Sequence, residues 1–235
     1  PSTLTSIGNG VFYGCSKLAL TSLPSGVTSI GNNTFQNCTN LALTSLPNGV
    51  TNISNYAFDG CTNLALTSLP NGLISTGNYA FRNCTNLELT SLPSNFASTN
   101  VNVFEGCVKL NITTIPDTMT IIPSAFFYKC TGLKKMSMDK VASIGGNNSG
   151  YSAFNGCTRL KQVWIGSAIT NILRYAFVGC TNLEKIYINL PRATVEAFPN
   201  YQYAFMNDTT KTGIIVCNDD TGFIDKATFD AQVIN

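Results

Sequence analysis

The feature that most constrains this chain is a cysteine that recurs at a fixed interval. Each such cysteine has a phenylalanine three residues before it and a leucine three residues after it. A fixed period of roughly 20 to 50 residues is typical of solenoids, in which stacked copies bury a core that no single copy could bury alone. Neighbouring members of the series are 23 residues apart, except for one interval of 27: Cys15, Cys38, Cys61, Cys84, Cys107, Cys130, Cys157 and Cys180.

Each copy of the repeat carries the pattern of one short strand. We number residues from the cysteine of their own copy. Position +8 is apolar throughout, and position +6 is Thr in five copies and Met, Val or Ile afterwards. Such residues two apart mark one face of a strand. We therefore predict nine strands over positions +5 to +8, the last over residues 213–217 in a copy that keeps Phe205 and has Asp208 in place of cysteine.

The segment before each cysteine predicts a short helical turn. Gly or Asn stands directly before the cysteine in seven of the eight copies, with Lys129 as the exception. Such residues accept the left-handed conformation in which helical turns commonly end.

These motifs resemble the BspA-like leucine-rich repeat proteins with 23-residue Treponema-type repeats. The resemblance implies an α/β fold, a right-handed solenoid with a parallel β-sheet on its concave face and short helical or 3-10 turns on its convex face. Departures are Thr76, Thr99 and insertions at 145–153 and 191–204. The residues of one copy that fit the unit of this class are Leu41, Leu46, Pro47, Val50, Ile53, Ala57, Phe58 and Cys61.

The two ends of the chain predict different things. Residues 1–217 are expected to form the solenoid, which starts in the middle of a repeat, so that further repeats or a cap are expected before Pro1. Residues 218–235 are expected to form a capping helix that begins at Asp219-Asp220-Thr221 and has Phe223, Ala227 and Phe229 available for burial.

Composition excludes most catalytic chemistry. The chain has no histidine, which removes Ser-His-Asp and Cys-His pairs and histidine-ligated metal sites. We expect that the protein is not an enzyme and that it binds no metal ion and no cofactor. An acid or base could come only from the insertions at 145–153 and 191–204, where Glu196 and Arg192 are the charged residues.

The distribution of charge and apolar residues narrows the partners further. The net charge is +2, and the basic residues are too scattered to make nucleic acid a partner. The absence of a long apolar run predicts that the chain has no membrane span.

The cysteines are predicted to form a ladder of buried free thiols, because each occupies the same position behind a core phenylalanine. The alternative is an occasional disulfide between neighbouring copies. Cys217 lies outside the ladder and is expected to be the most exposed thiol.

The outward side of the strands is the predicted binding surface. If positions +6 and +8 point inward, positions +5 and +7 face outward. Trp164, Tyr187, Lys135 and Lys185 then form an exposed cluster whose loss would weaken binding but not stability. In the alternative register the Leu at +5 turns inward and the Thr at +6 faces water. The first register also exposes an apolar row at Leu20, Leu43, Leu66 and Leu89.

The predicted function is that of a surface-displayed or secreted bacterial module without catalysis. We expect a monomer that recognises a protein or glycan of a host or neighbouring cell through the concave sheet. A structural spacer within a larger cell-surface protein is the alternative, and an enzyme with a site in the insertions is the third possibility. An extracellular or cell-surface location, which the resemblance implies, is common to the first two.

Overall fold

The chain folds into a parallel-strand solenoid of about eight turns, as the repeat predicts. The structure is a computed structural model that describes residues 3–145, 152–204 and 214–234. Phe205, Asp208 and most of the insertion at 145–153 lie outside the described residues. All strand pairs in the described part of the chain are parallel.

Two of the three sheets consist of two-residue strands that the sequence analysis did not predict. These strands lie at the Ile-Gly step of the repeat. Where Thr76 replaces the isoleucine, pairing is reduced to a single parallel bridge with Ile53, and no strand is present at Thr99. The first sheet has the order β1 (Ser6–Ile7), β2 (Ser29–Ile30), β3 (Asn52–Ile53), and the second has the order β4 (Ile121–Ile122), β6 (Ser143–Ile144), β8 (Asn171–Ile172).

The third sheet contains the strands predicted at positions +5 to +8, but only from the sixth copy onwards. Across the described residues, the first five copies form no continuous strand there, apart from one parallel bridge between Thr114 and Ser137, so the prediction of nine such strands was wrong for these copies. The order of the sheet is β10 (Ile215–Cys217), β9 (Lys185–Ile188), β7 (Gln162–Ile165), β5 (Lys135–Met138).

The reason for this difference is that side chains cannot alternate between the two faces along the whole segment from +3 to +8. Positions +3 and +8 are both buried, as for Leu41 and Leu46. Strict alternation would place residues an odd number apart on opposite faces, so two neighbours must face outward together. In the second copy these neighbours are Thr44 and Ser45. In the sixth copy they are Lys134 and Lys135, and alternation then continues regularly through Met138.

Two parallel ladders, one of phenylalanine rings and one of thiols, run through a core of leucine, isoleucine and valine side chains. Adjacent phenylalanine rings are stacked with centroids 5.2 to 6.0 Å apart. From the second copy onwards, each ladder thiol donates to the carbonyl oxygen of the phenylalanine in the preceding copy, at 2.9 to 3.1 Å. All nine cysteines are free, so the disulfide alternative is wrong. The ladder of buried thiols is confirmed for seven of the eight copies, and Cys15 in the first copy is exposed.

The cap before each cysteine is also confirmed. The residue there has a positive φ of 58° to 75° in all eight copies, Lys129 included. The preceding segment is a series of turns closed by bonds such as Cys38 N–H to Phe35 O (3.0 Å), and none of these turns is long enough to form a helix in the described residues.

Three short helices lie in the C-terminal part of the chain, after β9. The insertion at 191–204 contains α1 (Arg192–Glu196) and α2 (Tyr201–Ala204), and the chain ends with α3 (Lys226–Ala231). The predicted cap at Asp219-Asp220-Thr221 was wrong, because Asp225 accepts from the Thr228 N–H at 2.7 Å and begins α3. Asp219 and Asp220 bind Arg192 instead.

Candidate functional site

We call the outward side of positions +5 to +8 the front face. In the first five copies it carries two exposed hydroxyl side chains per copy, which we call the hydroxyl strip. Because the strip has no charged member, its surface chemistry is that of hydroxyl donors and acceptors only. Its members are Thr21, Ser22, Thr44, Ser45, Thr67, Ser68, Thr90, Ser91, Thr113 and Thr114.

The predicted apolar row is not on this surface. Leu43, Leu66 and Leu89 are fully buried, and Leu20 is partly buried against the same core. The alternative register is therefore correct for these copies, and the expectation of an exposed row was wrong. The Thr at +6 gave the signal for this, because a hydroxyl side chain at an inward position would lose its hydrogen bonds to water.

The aromatic cluster lies on the front face of β7 and β9, as predicted, but it is not exposed. Trp164 and Tyr187 are only 2% and 7% exposed. The Trp164 ring lies 5.5 Å from that of Phe223 and 5.9 Å from that of Phe229, which also meets Tyr187 edge-on at 6.0 Å. Residues 218–234, the C-terminal segment, thus cover the predicted site.

Lys135 holds this segment in place. Its ammonium donates to the backbone carbonyl oxygens of Phe229, Asp230 (3.2 Å) and Gln232 (3.0 Å), and it lies 4.3 Å from the centroid of the Phe229 ring. A cation at the C-terminus of a helix is favourable because unpaired carbonyl groups collect there. Burial lowers the pKa of the Lys135 ammonium, and the Asp230 carboxylate partly opposes that shift.

Lys185 is the fourth member of the predicted cluster. It is half-buried on β9, and its register partner Gln162 on β7 separates it from Lys135. The structure therefore brings Lys135, Trp164 and Tyr187 together through the C-terminal segment, while Lys185 lies at the side of this group.

A cleft of about 270 Å³ opens where the hydroxyl strip meets the C-terminal segment. Its walls come from the fifth copy, the start of β5 and the end of the chain. The lining is mainly polar, with hydroxyl, amide and ammonium groups and one carboxylate. It consists of Asn111, Thr113, Thr114, Lys134, Lys135, Asp230, Gln232 and Ile234.

Two of the cleft residues have a polar side-chain group that lacks a partner among the described residues. The side-chain oxygen Oε1 of Gln232 is buried and has no hydrogen-bond partner. Lys134 has no ion pair within the described ranges, and the only carboxylate of the lining, that of Asp230, pairs with Lys226. Sequence reasoning missed the cleft because its walls come from segments about 100 residues or more apart in the chain.

A second side-chain cluster lies outside the front face and was also missed. Tyr56 and Tyr79 are stacked with centroids 4.7 Å apart, and the Arg82 guanidinium lies 4.8 Å from the Tyr79 ring. Arg82 also makes two hydrogen bonds to the buried Asp59 carboxylate, at 2.9 and 2.7 Å. Tyr at the same position of two successive copies was the available signal.

The groups considered for catalysis have structural partners. Arg192 forms ion pairs with Glu196 (3.6 Å) and Asp220, and it donates to the Ile215 carbonyl oxygen at 3.0 Å. No group of three or more metal-ligating side chains converges in the part of the chain that the structure describes. In the same part, no helix has the length and apolarity needed to cross a membrane.

The thiols do not form a reactive site. Burial raises the pKa of Cys38 to about 11 and that of Cys84 well above its ordinary value, which keeps both protonated. Cys217 is fully buried, so its predicted exposure was wrong, and Cys15 in the first copy is the exposed thiol.

Comparison with known proteins matches this geometry to one repeat family. The model of the BspA type leucine rich repeat region matches in 6 copies, over residues 1–111, 51–148 and 148–231. Among solved structures, the leucine-rich repeat protein of T. pallidum is 29% identical with a TM-score of 0.56, and the match covers 68% of this chain and 75% of that one. No curated protein matches the chain.

Two other solved structures are more distant. A leucine rich cell surface protein from Faecalibacterium prausnitzii is 22% identical with a TM-score of 0.46, over 81% of this chain and 65% of that one. The pneumococcal vaccine antigen PcpA is 17% identical with a TM-score of 0.46, over 79% and 60% of the two chains. The present chain thus spans less than two thirds of these two proteins.

Proposed function

Since the chain belongs to the BspA-type leucine-rich repeat family, we propose that it is a non-catalytic binding module, displayed on or secreted from a bacterial cell. In this proposal it recognises a protein or a glycan of a host or neighbouring cell. The contact surface is the front face, with the hydroxyl strip as its main part.

The single observation that carries this proposal is the exposure of the hydroxyl strip. Two neighbouring side chains of each copy, such as Thr67 and Ser68, face solvent, while the leucines on either side of them are buried. The strip is therefore fixed to a rigid core and presents the same hydrogen-bonding groups at every turn of the solenoid. Such a preordered polar surface binds without a large loss of side-chain entropy.

The lack of catalytic groups on this surface agrees with the proposal. A glycoside hydrolase would need two carboxylates facing one bond, and the strip contains none. Binding is the chemistry that hydroxyl groups can supply unaided, through donated and accepted hydrogen bonds.

The test is to block the strip and measure binding to a glycan array and to immobilised extracellular-matrix proteins. The variant Thr67→Arg, Thr90→Arg places two long side chains in the middle of the strip. We expect at least a tenfold loss of binding, because a pair of misplaced charges costs more than about 1.4 kcal/mol at a desolvated interface.

The control is Thr51→Arg, which adds the same side chain at an exposed position outside the front face. It should bind as the unchanged protein does. Equal binding by the strip variant would remove the front face as the contact surface. Binding to no member of either panel would favour the spacer role, for which the continuous ladder of stacked rings provides a stiff rod.

A further inference from the structure

We propose that the cleft between the hydroxyl strip and the C-terminal segment binds one acidic sugar unit, a hydroxylated ring that carries a carboxylate. This inference rests on the proposed function and names the ligand class for one end of the front face. It follows from the polar lining of the cleft, from the Lys134 ammonium, which has no ion pair in the described residues, and from the position of the cleft.

The first step is the hydrogen-bonding capacity of the walls. Thr113 and Thr114 offer hydroxyl groups, and Asn111 and Gln232 contribute amide side chains. The hydroxyl groups of a sugar ring both donate and accept, so they match this set of groups without leaving a polar atom unpaired.

The second step is charge. The three N–H groups of Lys135 already donate to the carbonyl oxygens of Phe229, Asp230 and Gln232, so this residue adds positive charge to the lining but no free donor. Lys134 is half-buried and has no ion pair in the described part of the chain, and the Asp230 carboxylate is already paired with Lys226. Two lysines against one carboxylate give the lining a net positive charge, so the cleft favours a ligand that brings one negative charge to Lys134.

The third step is size and position. A volume of about 270 Å³ lies just below the range of roughly 300 to 1,000 Å³ that is typical of small-molecule pockets, so it suits one ring with its substituents rather than a folded peptide. Thr113 and Thr114 belong to both the cleft and the hydroxyl strip. An acidic terminal unit in the cleft would therefore leave the rest of a glycan chain directed along the strip.

The experiment titrates the full chain with glucuronate and with glucose, and follows saturation-transfer NMR signals of each sugar. We expect glucuronate to bind with a Kd of roughly 1 mM, as is typical of a single small polar ligand. Glucose should bind at least about tenfold more weakly, because it has no carboxylate to form an ion pair with the Lys134 ammonium. Equal affinities, or no signal from glucuronate at about 10 mM, would overturn the proposal.

Two variants test the residues. Lys134→Gln keeps a long polar side chain but removes the charge, and it should weaken glucuronate binding about tenfold while leaving glucose unchanged. Gln232→Ala removes one amide side chain from the lining and should weaken both sugars. Lys17→Gln is the matched control, since Lys17 is an exposed lysine of the first copy, far from the cleft in sequence. Unchanged glucuronate binding by both cleft variants would overturn the proposal.

Fluorescence of Trp164, the single tryptophan, shows whether each variant keeps the C-terminal segment in place. The outcomes also separate this inference from the proposed function. Loss of array binding by the strip variant without any glucuronate binding would leave the function standing and reject the cleft. Glucuronate binding that depends on Lys134, together with an inactive strip, would do the reverse.

Discussion

Copies two to five and copies six to eight share one core but present different front faces. Both regions bury the same phenylalanine, cysteine and leucine positions. They differ in which two neighbours turn outward, Thr67 and Ser68 in one region and Lys161 and Gln162 in the other. The comparison teaches that alternation alone does not determine the register of the strand when two buried positions are an odd number of residues apart. The residue at +6 then decides it.

The choice of register has consequences beyond the strand. Regular alternation from +5 to +8 in the later copies allows β5, β7 and β9 to pair over four residues each. It also places Trp164 and Tyr187 on the outer side of the sheet, where large rings need a cover. The C-terminal segment supplies that cover, and copies two to five, with small hydroxyl side chains at the same place, need none.

The largest expected effect concerns this cover. Trp164→Ala should destabilise the protein by about 3 to 5 kcal/mol, as is typical of a buried aromatic side chain replaced by alanine. The reason is that Trp164 is 2% exposed and contacts both Phe223 and Phe229. Urea denaturation followed by far-UV circular dichroism measures the change.

The matched control is Ser68→Ala, because Ser68 holds position +7 in the third copy but is exposed. Its effect should stay within about 0.5 kcal/mol. A loss below about 1 kcal/mol for Trp164→Ala would mean that the C-terminal segment does not cover the ring. In that case the tryptophan would be the exposed anchor that the sequence alone predicts.

The next effect tests the register itself, by exchanging residues at position +6. Val163 is fully buried in the seventh copy, and Thr67 is exposed in the third. Val163→Thr should cost about 1 to 3 kcal/mol, because it buries a hydroxyl group without a built-in partner. Thr67→Val should change the free energy of unfolding by less than about 0.5 kcal/mol. Similar costs for the two variants would contradict the difference in register.

Much of the fold could be predicted from the sequence because it follows from local, repeated patterns. The period, the ring and thiol ladders, and the positive φ before each cysteine all depend on residues within one or two copies. The front face was harder to predict, because its register depends on whether the residue at +6 is polar or apolar. A single alternation pattern for all copies therefore fails in the first five. The cover over Trp164 depends on contacts such as that of Lys135 with Phe229, which no periodic pattern encodes.

A smaller effect concerns the buried thiols that the two regions share, and it is seen in the pH dependence of stability. Burial raises the pKa of Cys84 and Cys157, first by desolvation, above the ordinary thiol value of 9.0. The stability that each thiol contributes is therefore fully present below about pH 9 and is lost as pH rises, because the unfolded chain ionises first. Each buried thiol should steepen the fall in unfolding free energy by roughly 1 kcal/mol per pH unit.

Serine variants measure this contribution. Cys84→Ser and Cys157→Ser replace the thiol by a group that does not ionise but can still donate to the same carbonyl oxygen, which lies 3.1 Å from the sulfur in both copies. Chemical denaturation between about pH 9 and pH 10.5 should show the same reduction in slope for both variants. A reduction in only one of them would show that the thiol ladder is not equally buried in the two regions.

The smallest expected effect concerns Cys15, whose copy contributes the first ring of the ladder. Cys15 is exposed, whereas Cys217 and the remaining ladder thiols are buried. In the native protein an aromatic disulfide reagent should therefore modify one thiol rapidly, and Cys15→Ser should abolish this reaction while changing stability by less than about 0.5 kcal/mol. Rapid modification of Cys217 would mean that β10 separates from β9 in solution. Because β10 leads directly into the C-terminal segment, that result would also remove the cover from Trp164 and the outer wall from the cleft.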